Sequence, residues 1–232
     1  MKVIYWSDYA CPYCYIGETH LKQAIKELGA DVEIEMKAFE LDPHASREYV
    51  GATVDRFAKK YGLSKAAAQA RIDGISEMGH KAGLDFRYAE TRYTNTFDAH
   101  RLTKLAREKG GGLADRLSER LYHAYFAEES ELADHDVLTK IAVEEGLSED
   151  EARAVLDSDR YADDVRLDER EAQRYGVTGV PFFLLGRYGI PGAMPVESMK
   201  SALQKAMAEE RSAVPAQGMT CGPDGCRLEE RR

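Results

Sequence analysis

The 232-residue sequence has no long apolar run, no excess of positive charge and no targeting signal at its start. No apolar stretch approaches the roughly 20 residues that a membrane-spanning helix needs. The formal net charge is −9, which disfavours nonspecific binding to nucleic acid or to an anionic membrane surface. Because Met1-Lys2 leads directly into a predicted strand, we expect a cytoplasmic protein with neither a nucleic-acid nor a membrane partner.

Cysteine is also scarce. The chain has four cysteines, which form two close pairs, Cys11 with Cys14 and Cys221 with Cys226. Stable structural disulfides are rare in a reducing cytoplasm. Two closely spaced pairs in such a compartment therefore indicate either redox chemistry or metal binding.

The first pair belongs to the motif Cys11-Pro12-Tyr13-Cys14, which separates a short apolar run from a stretch with apolar residues at helical spacing. A strand should therefore turn into a helix here, and Pro12 suits the first helical turn. The unpaired N–H groups and positive dipole of that turn stabilise a thiolate. We expect Cys11 to be an exposed nucleophile with a lowered pKa and Cys14 to be the resolving thiol. Half of a structural zinc site is the alternative interpretation of the same spacing.

The remaining patterns predict an α/β protein with a long helical segment. The run Val3–Trp6, the helix after the motif and the alternating segment 32–38 predict a β-α-β unit with a right-handed crossover. Only helical patterns occur from about residue 46 to about residue 158. A further helix, an apolar strand after Pro181, its hairpin partner and a last helix complete the predicted order.

Three features now agree independently: a Cys-x-x-Cys motif opens the first helix, a proline directly precedes the third strand, and a long helical segment separates them. In these features the sequence resembles the thioredoxin superfamily and, within it, the DsbA-like family. The resemblance implies a thioredoxin-like fold with an inserted all-helical domain. The expected divisions are a discontinuous thioredoxin-like domain (1–45 and 159–210), a helical insertion (46–158) and a flexible C-terminal tail (211–232).

The same resemblance implies the residues of an active site. Cys11, Cys14 and Pro181 are the expected catalytic residues, with the Val180–Pro181 bond in the cis form beside the motif. A cis bond before proline costs little and occurs where a tight turn requires it. The Val180 backbone would then be free to pair with an extended substrate chain. Pro12, Tyr13 and Val180 are accordingly expected to bind substrate.

Other segments resemble a narrower subgroup. Phe39-Glu40-Leu41-Asp42-Pro43 and the Asn95-Thr96 to His100 segment are similar to FrnE-like and 2-hydroxychromene-2-carboxylate isomerase-like proteins. That subgroup includes glutathione-dependent enzymes and kappa-class glutathione transferases, which typically carry a serine at the first motif position. Cysteine at both positions of this motif favours dithiol chemistry instead.

The tail pair strengthens the similarity to FrnE-like disulfide oxidoreductases, which carry a second redox pair after the last helix. We hypothesise that Cys221 and Cys226 exchange electrons with Cys11 and Cys14 through a mixed disulfide. A passive tail disulfide and a tail metal clip are the alternatives.

The sequence therefore predicts a cytoplasmic thiol–disulfide oxidoreductase or isomerase that acts on protein or small-molecule disulfides and thiols. We expect no required cofactor and no metal. Glutathione is the expected candidate for a reductant or ligand, and a thioredoxin or glutathione system is the expected recycling partner. A glutathione-dependent isomerase or transferase is the alternative function, and a redox sensor or zinc-binding module is a further alternative.

Overall fold

The computed structural model describes residues 1–213, 219–222 and 225–228, and its centre is a mixed four-stranded sheet. The strands are β1 (Lys2–Ser7), β2 (Glu33–Ala38), β3 (Phe182–Leu185) and β4 (Tyr188–Pro191). They are arranged in the order β2-β1-β3-β4. β1 is parallel to β2 and antiparallel to β3, and β3 is antiparallel to β4. The two ends of the chain therefore build one sheet.

Helices occupy most of the remaining described chain. They are α1 (Pro12–Leu28), α2 (Thr53–Tyr61), α3 (Lys65–Lys81), α4 (Phe97–Lys109), α5 (Leu113–Ala127), α6 (His135–Glu144), α7 (Glu149–Leu156), α8 (Ala162–Arg174) and α9 (Val196–Ala213). One 3-10 turn lies at Tyr88–Glu90. Residues 46–158 are all described and contain no strand, which confirms the prediction made from their helical patterns.

The β1-α1-β2 unit is also confirmed. Pro12 is the first residue of α1, where its missing N–H group is not needed. Gly29 ends the helix in the left-handed conformation, with φ of 56°, and its N–H group reaches the carbonyl groups of Ile25 and Lys26. The chain then returns to form β2 in parallel register with β1.

Successive side chains of β1 bury on opposite faces of the sheet. Tyr5 enters the main core, which also contains residues of α1 and α9. Trp6 packs on the other face against Ala172 and Val177, so α8 covers that face. The Trp6 indole N–H also donates to the main-chain carbonyl of Asp168 at 3.0 Å. Both faces of the sheet are therefore covered, as expected for an α/β fold.

The helical segment is anchored on the helix that carries the motif. Tyr15 of α1 stacks on Tyr122 of α5 with a centroid distance of 4.9 Å, and on Phe126 at 5.9 Å. Phe126 in turn stacks on Phe86 at 4.4 Å. Such aromatic pairs add roughly 0.5–1.5 kcal/mol beyond their burial. One cluster of buried side chains includes residues of the sheet and of the helical segment 46–158. The division into a thioredoxin-like domain and a helical insertion therefore stays a prediction.

The C-terminal region differs from the expected tail. α9 continues to Ala213, so helix extends into the segment that we expected to be tail. Beyond it, β5 (Met219–Gly222) and β6 (Gly225–Leu228) form an antiparallel pair. Residues 214–218, 223–224 and 229–232 lie outside the described residues, and with them Pro223 and Asp224 of the predicted turn. None of the helices in the described ranges combines the length and apolar surface that a bilayer crossing requires.

Candidate active site

Cys11 is the N-cap residue of α1. Its backbone is extended, with φ of −91° and ψ of 114°, and its N–H group donates to the Asp8 carbonyl at 3.0 Å. The Cys11 carbonyl accepts the first backbone bond of the helix, from Cys14 N at 3.1 Å. The Cys11 side chain therefore lies beside the unpaired N–H groups and the positive end of the helix dipole.

Both motif cysteines are free thiols, and both are buried. Cys14 is fully buried, as expected for a resolving thiol, but Cys11 is only 3% exposed. The prediction of an exposed Cys11 is therefore wrong. The N-terminus of an isolated helix would leave Cys11 accessible to solvent. Here the loop before β3 covers Cys11, since Val180 contacts its thiol.

The Val180–Pro181 peptide bond is cis. The Val180 carbonyl oxygen lies 3.5 Å from Cys11 Sγ, and the thiol donates to this oxygen. The expectation that the Val180 backbone is free for a substrate is therefore wrong for its carbonyl while Cys11 is a free thiol. The physical reason is that a partly buried carbonyl favours a hydrogen-bond donor, and the Cys11 thiol supplies one.

Cys14 lies beneath Cys11 among hydroxyl groups. Burial raises the pKa of the Cys14 thiol well above its ordinary value, and the neighbouring Cys11 raises the pKa further. The hydroxyl of Ser7 acts in the opposite direction because it can donate to a thiolate. Ser7 Oγ is itself 2.5 Å from the hydroxyl oxygen of Tyr122. Burial therefore keeps Cys14 protonated, and the Ser7–Tyr122 pair gives its thiolate a polar neighbour.

The loop before Cys11 is fixed by the buried carboxylate of Asp8. One Asp8 oxygen accepts from Ala10 N at 3.2 Å, and the other accepts from Leu41 N at 2.7 Å. His100 is also buried, and its Nε2 atom lies 3.8 Å from Asp8 Oδ1 without a hydrogen-bond partner among the described residues. The His100 ring packs on Tyr9 at a centroid distance of 4.8 Å. Asp8 thus connects the loop that precedes Cys11 to the segment that follows β2.

A cavity of about 500 Å³ opens in front of Cys11. Among the residues predicted to form the site, it is lined by Cys11, Pro12, Tyr13 and Val180. Tyr13 is 40% exposed and stands at the rim. Cys14 is buried next to Cys11, and Pro181 follows Val180 and lies close to Gly17 of α1, so the structure brings the six predicted residues of the main site together. Cys221 and Cys226 are register partners across the β5–β6 pair.

The opposite wall of the cavity comes from the helical segment, which sequence reasoning did not connect with the site. Arg56 and Lys60 of α2 and Arg71 of α3 line it, together with aromatic residues. Arg56 and Lys60 are four residues apart, a spacing that places both on one helix face. That spacing was the available signal, although it did not show which surface the face would meet.

The described residues offer no metal centre at the motif. Within them, no group of three or more His, Cys, Asp or Glu side chains is placed to hold a metal ion. A structural zinc site requires four ligands. In the described part of the chain, Cys11 and Cys14 thus lack the further ligands that the zinc interpretation requires.

Known proteins match this chain over most of its length. A family model of the DSBA-like thioredoxin domain matches residues 2–204. The uncharacterized protein YwbO of Bacillus subtilis (strain 168) is 30% identical over 212 residues, which is 89% of this chain and 95% of that protein. The crystal structure of the probable DsbA oxidoreductase SCO1869 from Streptomyces coelicolor is 39% identical, with a TM-score of 0.86. It covers 99% of this chain, and all of that chain is matched.

A more distant structure extends the likeness of fold. A 2-hydroxychromene-2-carboxylate isomerase has a TM-score of 0.69 at 14% identity, over 91% of this chain and 98% of that one. The expected thioredoxin-like α/β fold is thereby confirmed. With its motif, its proline loop and the match over nearly its whole length, the chain belongs to the family of DsbA-like thioredoxin domains.

Proposed function

We propose that the chain is a thiol–disulfide oxidoreductase that works through Cys11 and Cys14. The observation that carries the proposal is the placement of two free thiols one turn apart, the first at a helix N-cap and the second fully buried. The helix terminus places unpaired backbone N–H groups beside the first cysteine, and burial protects the second from outside reagents. DsbA-like thioredoxin-fold proteins are generally disulfide oxidoreductases, which supports the same function.

In the reducing direction, the Cys11 thiolate attacks one sulfur of a substrate disulfide. A bond forms between Cys11 and that sulfur, the substrate S–S bond breaks, and the leaving thiolate takes up a proton. Cys14 then loses its proton, and its thiolate attacks Cys11 Sγ. The Cys11–Cys14 disulfide forms, and the second substrate thiol leaves. Two electrons pass from the enzyme to the substrate, and the oxidising direction reverses these steps.

The contact between Cys11 and Val180 gives the proposed substrate-binding residues a role. When Cys11 enters a mixed disulfide, it loses the S–H group that donates to the Val180 carbonyl. That carbonyl then needs a new donor, which the N–H group of an extended substrate chain can supply. Pro12 and the exposed ring of Tyr13 provide surface for the same chain beside the reacting sulfur.

We extend the proposal to the tail pair. Cys221 and Cys226 are opposite each other in the backbone register of β5 and β6, which keeps the two positions close. In the proposal, the tail pair exchanges electrons with Cys11 and Cys14 through a mixed disulfide. A passive tail disulfide or a metal clip are the alternatives.

The proposed reaction requires neither a metal nor an organic cofactor. Glutathione or a thioredoxin-type protein returns the Cys11–Cys14 disulfide to the dithiol, and we place the reaction in the cytoplasm. The cytosolic disulfide reductase DsbM from Pseudomonas aeruginosa, solved with GSH, shares the fold, with a TM-score of 0.59 at 18% identity over 91% of this chain and 98% of that one. A cytoplasmic glutathione pool would favour the reducing direction.

The test is reduction of insulin disulfides by dithiothreitol, with wild type, Cys11→Ser and Cys14→Ser compared. We expect the wild type to accelerate reduction and both variants to lose nearly all of that acceleration. Full activity of Cys14→Ser would contradict a dithiol mechanism and favour a glutathione-dependent reaction. The double variant Cys221→Ser with Cys226→Ser tests the tail pair, because unchanged turnover and redox potential would exclude electron exchange with it.

A further inference from the structure

The cavity in front of Cys11 has an unusual charge for this protein. The chain carries a formal net charge of −9, yet Arg56, Lys60 and Arg71 line the cavity, and none of the described residues that line it is an aspartate or a glutamate. Uncompensated cations around a concave site raise the local concentration of anions. This cavity therefore attracts small anionic molecules, which the net negative charge of the protein repels.

The three cations also lack ion-pair partners among the described residues. Elsewhere on α3, Lys65 pairs with Asp55 at 2.6 Å and Lys81 with Glu77 at 2.7 Å. Arg56, Lys60 and Arg71 form no ion pair within the ranges that the structure describes, 1–213 included. The missing partner in each case is an anionic acceptor.

Arg56 supplies the most specific observation. Its Nε and Nη2 atoms are buried without a hydrogen-bond partner among the described residues. The guanidinium group lies over the Tyr93 ring, 3.9 Å from the ring centroid, so its orientation is fixed. Buried donors without acceptors are costly and uncommon. A guanidinium held in this way is prepared for a carboxylate, which it can bind through two parallel hydrogen bonds.

The remaining wall of the cavity is apolar. Phe57, Ile75 and Tyr88 line it and are each less than a tenth exposed. Burial raises the pKa of Tyr88 to about 12, so its hydroxyl remains neutral. A volume of about 500 Å³ lies within the usual range for small-molecule sites. The site therefore suits a compact molecule with an apolar middle and negatively charged ends.

We propose that this cavity selects small disulfides that carry carboxylates close to the sulfur bridge. The inference rests on the proposed function and names its substrate class. Arg56, Lys60 and Arg71 bind the carboxylates while Cys11 attacks the adjacent sulfur. The Cys11–substrate bond forms and the first carboxylate-bearing thiol leaves with a proton. Cys14 then closes the enzyme disulfide and releases the second thiol, so the substrate gains the two electrons that the enzyme loses.

The test compares three short disulfides that differ mainly in charge: anionic dithiodipropionate, neutral bis(hydroxyethyl) disulfide and cationic cystamine. Oxidation of the reduced enzyme is followed in a single turnover by acid quenching and mass spectrometry. Each rate is divided by the rate of free dithiothreitol with the same disulfide, which removes differences in leaving-group reactivity. For the wild type we expect the normalised rates to fall from the anionic to the neutral to the cationic disulfide.

The double variant Lys60→Gln with Arg71→Gln should lower the anionic-to-neutral rate ratio roughly tenfold, as expected for the loss of two charge-assisted contacts. The matched control is Lys59→Gln with Lys65→Gln, which removes one cation from each of the same two helices without touching the cavity. It should leave the ratio unchanged. Added salt should reduce the wild-type preference.

The outcomes separate the inference from the function on which it rests. Equal normalised rates for the three disulfides in the wild type would overturn the inference and leave the proposed function intact. An anionic-to-neutral rate ratio that falls equally in the control variant would also overturn the inference, because the effect would then come from the overall charge of the protein. No reaction with any of the three disulfides would also overturn the inference, and the proposed function would fall only if insulin reduction were absent as well.

Discussion

Cys11 Sγ lies 3.5 Å from the carbonyl oxygen of Val180, although 169 positions separate the two residues in the chain. The sheet makes this contact possible, because β1 leads into Cys11, β3 follows Pro181, and the two strands pair with each other. The nucleophile and the proposed substrate-binding carbonyl are therefore fixed by the same pairing. Changes that shift α1 against the Pro181 loop should alter the reactivity of Cys11 before they unfold the protein.

The first prediction concerns the pH dependence of the resolving step. Burial raises the pKa of Cys14, and burial persists when Cys11 is in a mixed disulfide. Below that raised pKa, the fraction of Cys14 thiolate grows about tenfold per pH unit. Release of the second substrate thiol should therefore rise with pH between 6 and 9, with a slope near one on a logarithmic plot. Rapid-quench measurements check this, and a plateau already at neutral pH would contradict it.

The second prediction compares two buried tyrosines of α5. The Tyr122 hydroxyl is hydrogen-bonded to Ser7, whereas the Tyr125 hydroxyl has no hydrogen-bond partner among the described residues. Tyr122→Phe removes the hydrogen bond between the buried hydroxyl groups of Tyr122 and Ser7 and should lower the free energy of unfolding by about 1–2 kcal/mol. Tyr125→Phe removes no such bond and should leave it nearly unchanged. Urea unfolding measures both, and equal effects would argue against the Ser7–Tyr122 bond.

The third prediction concerns the packing of α1 against the Pro181 loop. A Cβ atom at Gly17 would lie 3.1 Å from Pro181 Cγ and 3.2 Å from Phe183 Cζ. Gly17→Ala should therefore destabilise the protein by about 1–3 kcal/mol and change the alkylation rate of Cys11. Gly74→Ala is the control, because the space around Gly74 is open and alanine favours a helix. If both variants were equally stable, the close contact at Gly17 would be wrong.

The fourth prediction concerns Arg101, which connects α4 to the C-terminal end of α7. Its guanidinium group donates to Asp98 at 2.7 Å, to the Val155 carbonyl at 2.6 Å and to the Ser158 carbonyl at 2.5 Å. Arg101→Met removes one donor from the buried Asp98 carboxylate, which keeps Arg47 and His135. It also leaves several main-chain carbonyls without their donor and should cost about 2–4 kcal/mol. Arg153→Met, which removes two exposed ion pairs, should leave the thermal midpoint unchanged. Thermal unfolding followed by circular dichroism distinguishes the two.

Local patterns were sufficient for much of the fold. The alternation at 32–38 predicted β2, and the helical patterns from about 46 to about 158 predicted the segment that contains α2 to α7. Pro12 marked the start of α1. Such features depend on the period of a few neighbouring residues and on helix-terminus chemistry, so they can be recognised without knowledge of the rest of the chain.

Long-range packing decided what local patterns could not. The exposure of Cys11 was predicted wrongly because it depends on the loop at Val180, which approaches only once β1 and β3 have paired. Asp8 likewise gains its role from Leu41, which lies beyond β2. The geometry around a motif residue is set by segments that are distant in the sequence, and the motif alone carries no information about them.

By itself, the sequence determined the chemistry of this protein: two cysteines at the start of a helix, a proline before a returning strand, and an α/β fold to hold them. The tertiary structure determined which other residues surround the cysteines. It buried Cys11 beneath Val180 and turned Arg56, Lys60 and Arg71 towards the same cavity. The physical reason is that reactivity follows from side-chain type and local backbone, whereas access and charge follow from the packing of distant elements.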